Sequence, residues 1–168
     1  MAKRVYWDSC TFLGLINQEL GKLNDSAAVW NEAEEGDVII YTSFFTFAEV
    51  FKVKCEDGAK PLSEEGDQKI EQLLRQKWVR PVVVDERIGI AARRLMRHHP
   101  QCKKPTDGIH LATALALSVD EMHTYDGSDL LGLNGKINRP NGTPLTICTP
   151  KPTPKPPKED PGLFGDDQ

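Results

Sequence analysis

Apolar and polar positions alternate between two periods along this chain. Residues 3–7 (KRVYW) form a short β-rich run that stops at Asp8. In residues 10–20 (CTFLGLINQEL), Phe12, Leu15, Ile16 and Leu20 fall at helical spacing, and Gly21 predicts the stop. Residues 24–36 (NDSAAVWNEAEEG) predict a second helix, with Asn24 or Asp25 as its cap and Gly36 as its end. Residues 37–43 (DVIIYTS) read as a strand and 43–55 (SFFTFAEVFKVKC) as a helix. Residues 63–76 (SEEGDQKIEQLLRQ) predict a more solvated helix with Ile70, Leu73 and Leu74 facing inward. Residues 78–84 (WVRPVVV) form a strand, and Pro81, which cannot donate to a ladder, predicts an edge position. Helices follow over 85–99 (DERIGIAARRLMRHH), ended by Pro100, and over 105–117 (PTDGIHLATALAL). Residues 121–125 (EMHTY) form a strand ending at Asp126, and 144–148 (PLTIC) the last strand.

Strands that alternate with helices predict an α/β architecture with a mainly parallel central sheet. No internal repeat interrupts it. The 168 residues suffice for one domain, and the composition assigns it to residues 1–148. Residues 149–168 (TPKPTPKPPKEDPGLFGDDQ) are rich in Pro and Lys and predict an extended or disordered tail.

Hydrophobic residues make up 39% and charged residues 27%, as in ordinary globular domains. No apolar run is long enough to span a bilayer, and the start (MAKRVYWDSC) carries no signal-peptide core, so a cytoplasmic location without membrane contact is expected. A net charge of −4 argues against nucleic-acid binding by bulk charge, though not through a local basic patch or a bound metal. The four cysteines (Cys10, Cys55, Cys102, Cys148) are far apart and form no C-x-x-C pair, so reduced thiols are expected rather than a zinc site.

The distinctive chemistry is acidic. In open parallel sheets, ligands bind outside the carboxyl ends of the strands. Two predicted strands end there in an aspartate, Asp8 and Asp126, and Asp129 follows one helical turn later. Asp107 lies in the first turn of a helix, at the same edge. Glu49 stands in an apolar segment where an ionised carboxylate is costly to bury without compensation. Each has a structural explanation. Asp8 or Ser9, and Asp107 or Thr106, would serve as helix caps, Asp126 would start a turn with Gly127, and Glu49 would pair with Lys52 or Lys54 or point to solvent. Taken together these explanations weaken, because they do not account for carboxylates recurring at one edge. Converging carboxylates repel and couple their titrations, and a divalent cation removes the conflict. Oxygen ligands without a thiolate or imidazole cluster favour Mg²⁺ or Mn²⁺ over Zn²⁺.

Four segments, VYWDSCTFLGL, FFTFAEVFKV, PTDGIHLATALAL and MHTYDGSDL, occur in an order that resembles the PIN-domain family of ribonucleases, whose best-known members are VapC-type toxins. The resemblance runs from Lys3 to Leu131, and its third segment is the most specific. It implies a PIN-like three-layer fold and a Mg²⁺- or Mn²⁺-dependent endoribonuclease with a catalytic, metal-binding pocket of Asp8, Glu49, Asp107 and Asp126. Asp129 matches an additional acidic position, and Ser9 and Thr124 the small polar positions beside the pocket. The partners it implies are an RNA substrate, an antitoxin that holds the toxin inactive in a type II pair, and a second copy in a homodimer. LLGLNG after Asp129 lacks the aromatic found in many members, and the Pro/Lys tail is outside the family pattern.

RNA contact is expected from RRLMRHHPQCKK, in which Arg93, Arg94, Arg97, Lys103 and Lys104 lead into the Asp107 helix. The competing explanation is a solvated helix face. Two other functions stay open. One is a catalytically silent module that keeps the fold to bind RNA or protein. The other is a haloacid-dehalogenase-like phosphatase with Asp8 as nucleophile, although that chemistry wants a second aspartate where this chain has Cys10.

Overall fold

The structure, a computed structural model, describes residues 1–58 and 61–154. Five strands build one all-parallel sheet in the order β3-β2-β1-β4-β5: β1 Lys3–Trp7, β2 Val38–Ser43, β3 Val79–Val82, β4 Glu121–His123 and β5 Thr146–Cys148. Six α-helices connect or flank them: α1 Ser9–Ile16, α2 Leu23–Glu35, α3 Phe45–Glu49, α4 Glu64–Leu74, α5 Glu86–His98 and α6 Pro105–Ala116. This is the three-layer α/β fold expected. Pro81 lies in β3, at the edge.

Residues of β1 alternate between two cores. Val5 and Trp7 join Phe12, Val29, Ile40 and Leu74 under α1, α2 and α4. Tyr6 joins Leu111, Ala114, Met122 and Leu133 under α6 on the other face. Beyond that layer, α5 packs on α6 through Ile88, Ala92 and Ala112. The chain runs outward from β1 to β2 and β3, then crosses back to β4 on the other side of β1. The direction of winding therefore reverses between β1 and β4, which makes their carboxyl ends the expected ligand crevice. Trp7 pairs with His123 at that point, so Asp8 and Thr124 emerge side by side.

Several boundaries differ from the sequence expectation. Helix α1 stops at Ile16, because Asn17 closes it and Gln18 takes a left-handed φ of 51°. Leu20 is left exposed. Helix α2 starts at Leu23, so Asn24 and Asp25 lie inside its first turn, and Lys22 precedes it without a side-chain cap. Gly36 ends it, in the left-handed conformation expected. The helix expected over 43–55 shrinks to Phe45–Glu49 plus a 3₁₀ turn at Lys54–Glu56. Breaking the helix there buries Val50 and Val53 in the α1/α2/α4 core and leaves Phe44 and Phe51 exposed. Helix α4 is capped by Ser63, whose hydroxyl accepts the Gly66 N–H. The buried Glu56 carboxylate ties the preceding loop to this cap by accepting N–H groups of Val53 and Ser63 and the Ser63 hydroxyl.

The start of the predicted tail is placed on the domain. The Thr153 N–H and hydroxyl donate to the buried Glu32 of α2 at 2.8 and 3.0 Å. The tail's remaining residues, 155–168, lie outside the described residues. Among the described residues no helix is long and apolar enough to cross a membrane.

Candidate functional site

Asp107, Asp126 and Asp129 each offer a carboxylate oxygen within 4.8 Å of the others. Their elements explain this. Asp107 is the third residue of α6, whose N-terminal turn meets the carboxyl edge of β4. Asp126 follows β4 in a turn that its own Oδ1 organises, accepting N–H groups of Ser128 and Asp129 and the Ser128 hydroxyl. That turn presents Asp129, which is only 3% exposed.

One cation serves all three carboxylates. Lys104, the residue before α6, places Nζ 3.1 Å from Asp126, 3.6 Å from Asp129 and 3.9 Å from Asp107. The compensation is incomplete, since Asp107 is buried and its Oδ2 has no hydrogen-bond partner. Burial, reinforced by Asp126 and Asp129 and opposed by Lys104, pushes the Asp107 carboxyl up to about 6. Asp126 moves the other way. Burial opposes its ionisation, but the Asp129 N–H, Lys104 and Ser128 outweigh it and hold Asp126 below the usual range. An oxygen-only donor set, an unpartnered buried oxygen and an ammonium ion in its midst fit a hard divalent cation. The structural reading of Asp107 as a cap is not met, since Lys104 takes the cap position without a side-chain bond and Thr106 also lies inside α6.

Asp8 and Glu49 stand outside this trio. Asp8 caps α1, accepting the Thr11 N–H at 3.0 Å and the Thr11 hydroxyl at 2.9 Å. Its other oxygen accepts the Thr124 hydroxyl, and the Cys10 thiol lies 3.0 and 3.1 Å from the two oxygens. Thr124 Oγ1 also accepts the Asp126 N–H at 2.9 Å, which links the Asp8 carboxylate to the trio through one hydroxyl. Thr124 thus bridges Asp8 and Asp126. A nucleophilic role for Asp8 has less support, as both its oxygens are engaged.

Glu49 ends α3 and pairs with neither Lys52 nor Lys54. His110 Nε2 lies 2.6 Å from its carboxylate. Ser9 and Thr106, the neighbours of Asp8 and Asp107, also bond to it, which seats Glu49 between those two positions. Burial pushes the Glu49 carboxyl up, but the bonds from His110, Ser9 and Thr106 prevail and leave it below its ordinary value. Behind His110 the Tyr6 hydroxyl lies 2.8 Å from Nδ1. A carboxylate can only accept, so Nε2 carries a proton and donates it to Glu49, while the Tyr6 hydroxyl bonds the other ring nitrogen. Sequence reasoning missed His110. Its signal was a lone histidine one turn after Asp107 on an apolar helix.

The expected RNA-binding residues separate. Arg93 and Arg97 line a groove beside Pro105 and Ile109, whereas Arg94 lines another with Leu95 and Ala112 on the opposite flank of α5. Lys103 is exposed. Lys104 belongs with the carboxylates.

A second group of potential ligands, Glu121, His123 and Cys148, also gathers within 4.8 Å. The Trp7 indole N–H donates to His123 Nδ1 at 3.1 Å, and His123 Nε2 lies 2.9 Å from Glu121. Indole nitrogen can only donate, so Nδ1 must accept and Nε2 must hold the proton. That proton occupies the position a metal would need. Burial holds the Cys148 thiol up at about 11, and Lys3 pairs with Glu121 at 2.9 Å. This cluster is closed by its own bonds.

Comparison with known proteins agrees with the fold. No curated protein sequence matches the chain. Among solved structures, the sarcin–ricin loop cleaving toxin VapC20 of Mycobacterium tuberculosis superposes with a TM-score of 0.55 at 16% identity over 73% of this chain and 90% of its own. A toxin–antitoxin complex from Klebsiella pneumoniae gives 0.57 at 19% identity over 89% and 99%. VapBC2 of Rickettsia felis, bound to a DNA fragment from its promoter, gives 0.58 at 14% identity over 86% and 96%. The PIN domain family matches residues 5–128, most of the sheet and every helix described above. By that match the chain belongs to the PIN domain family.

Proposed function

We propose that this protein is a Mg²⁺- or Mn²⁺-dependent endoribonuclease acting in the cytoplasm as the toxin of a type II toxin–antitoxin pair. The observation that carries the reading is the Asp107–Asp126–Asp129 cluster around Lys104 Nζ, with an unpartnered buried oxygen on Asp107, at the reversal point of a PIN sheet. Asp107, Asp126 and Asp129 would hold the ion directly, and Asp8 and Glu49 through water. Such an ion would supply a Lewis acid for the phosphoryl oxygen and lower the pKa of a bound water.

The chain's own residues do the rest. Glu49 is kept ionised by His110, Ser9 and Thr106, so it can orient a water and accept its proton. Tyr6 and His110 fix the direction of that carboxylate from the core. Thr124 and Thr11 hold Asp8 in one rotamer. Lys104, more than half exposed on its side chain, can follow developing negative charge on a phosphate. The fold shared with a toxin and with toxin–antitoxin complexes supports the toxin role, with an antitoxin as protein partner and a second copy of the chain in a dimer.

The test is cleavage of single-stranded RNA by purified protein with Mn²⁺ and after its removal with EDTA. Cleavage is expected only with the metal and is expected to be lost in Asp107→Asn. Intact RNA under every metal condition would contradict the nuclease role.

A further inference from the structure

A groove beside the proposed cleavage centre shares a carboxylate with it. Glu49 lines a groove of about 390 Å³ between the C-terminal end of α1 and the loop after α3. Leu13 and Asn17 form one wall, and Phe51, Lys52 and Lys54 the other. Because Glu49 belongs both to the proposed centre and to this lining, a nucleotide adjacent to the scissile phosphate is within reach of the groove.

The lining suits one part of a nucleotide better than another. Phe51 is 60% exposed, an apolar ring that folding leaves unpaid for by any core contact. Its exposure follows from the break in the helix at Val50, which turns the ring outward beside Glu49. Asn17 Oδ1 accepts the Lys54 N–H at 2.8 Å, which fixes the amide and leaves its N–H donors uncommitted among the described residues. Lys52 pairs with Asp57 at 2.7 Å, while Lys54 makes no ion pair among the described residues. Glu19, Glu49 and Asp57 make the lining slightly acidic overall, which disfavours a phosphate inside it and offers acceptors to amino groups of a base. An uncharged flat ring with edge donors and acceptors meets each of these features, with Lys54 at the rim for the following phosphate.

We propose that this groove is the subsite for one unpaired base next to the scissile phosphate, stacked on Phe51 and read at its edge by Asn17. The inference rests on the nuclease reading and adds a site on the opposite flank from the α5 arginines. It commits to unpaired RNA, because a paired base has its edge occupied and its faces stacked.

The experiment measures initial rates on a pool of labelled single-stranded RNA octamers with Mn²⁺, for the native protein, Phe51→Ala and Phe51→Tyr, beside Mn²⁺ affinity and thermal melting of each. Phe51 is exposed, so Phe51→Ala is expected to melt with the native protein. Its kcat/KM should fall roughly 5- to 100-fold, mainly through KM, as expected for one lost base–aromatic stack. Mn²⁺ affinity should not move, and Phe51→Tyr should recover most of the loss. A Phe51→Ala protein with native kcat/KM overturns the subsite and leaves the nuclease reading standing, as does a Tyr variant as impaired as the Ala variant. A native protein that leaves the pool intact with Mn²⁺ overturns the nuclease reading and the subsite with it.

Discussion

Two clusters among the described residues have metal-ligand chemistry, and they differ in how each is satisfied. Glu121, His123 and Cys148 complete one another: the Trp7 indole fixes the histidine tautomer, the histidine proton meets Glu121, and Lys3 closes the charge. His123 draws Glu121 down to about 2, with Lys3 adding to the effect. Asp107, Asp126 and Asp129 cannot complete one another, because carboxylates are acceptors only. They share one lysine and still leave one buried oxygen without a hydrogen bond. Proximity of ligand atoms is therefore a poor guide by itself. The useful signal is an unmet electrostatic demand.

The comparison breaks most sharply at Asp107. Asp107→Asn should lower RNA cleavage by at least about 100-fold through lost metal affinity, yet leave the metal-free fold at neutral pH at least as stable as before, since it removes a buried charge rather than a bond. Activity assays paired with thermal melts would show this separation.

A pH series should sharpen it. The Asp107 carboxyl sits near 6 in the metal-free fold and lower when unfolded, so its protonated form stabilises the fold at low pH. That contribution is complete below the unfolded value and is lost as pH rises through about 6. Metal competes for the same oxygen, so Mn²⁺ affinity should weaken about tenfold per pH unit below that point and level off above it. Calorimetric titration across pH 5 to 8 is the measurement.

Smaller effects follow in the supporting groups. Tyr6→Phe keeps the ring and strips His110 Nδ1 of its hydrogen-bond partner, which should cost about 1–3 kcal/mol of stability and lower kcat by loosening Glu49. Denaturant unfolding and a split of kcat from KM would register both. Lys104→Gln should tighten Mn²⁺ binding roughly 2- to 5-fold, as a solvent-exposed competitor is removed. Glu121→Gln should leave Mn²⁺ affinity and cleavage unchanged and cost about 1 kcal/mol. A clear loss of metal binding in that variant would mean the closed cluster had been misread.

What could be read along the chain followed physical range. Strand β1, the edge position of Pro81, the stop at Gly36 and the gathering of acids at one sheet edge all follow from local pattern and parallel-sheet geometry. The expected long helix after Phe44 failed because tertiary packing of Val50 and Val53 outweighed helical spacing. The expectation that Asp8, Glu49, Asp107 and Asp126 would form one pocket was too coarse. Three aspartates close together, Asp129 among them, while Asp8 and Glu49 attach through hydroxyls. Tyr6 and His110 are 104 residues apart, and no spacing rule joins them. The place of Lys104 among the carboxylates is not legible either, because a helix-start lysine gives no sign of curling back onto carboxylates that its own turn and a distant strand supply.

The most direct test is calorimetric titration of Mn²⁺ into the native protein, Asp107→Asn and Cys148→Ser at pH 7.5. One ion per chain is expected for the native protein and Cys148→Ser, with binding abolished in Asp107→Asn. Retained binding in Asp107→Asn, or binding lost in Cys148→Ser, would contradict the assignment of the metal to the open aspartate cluster.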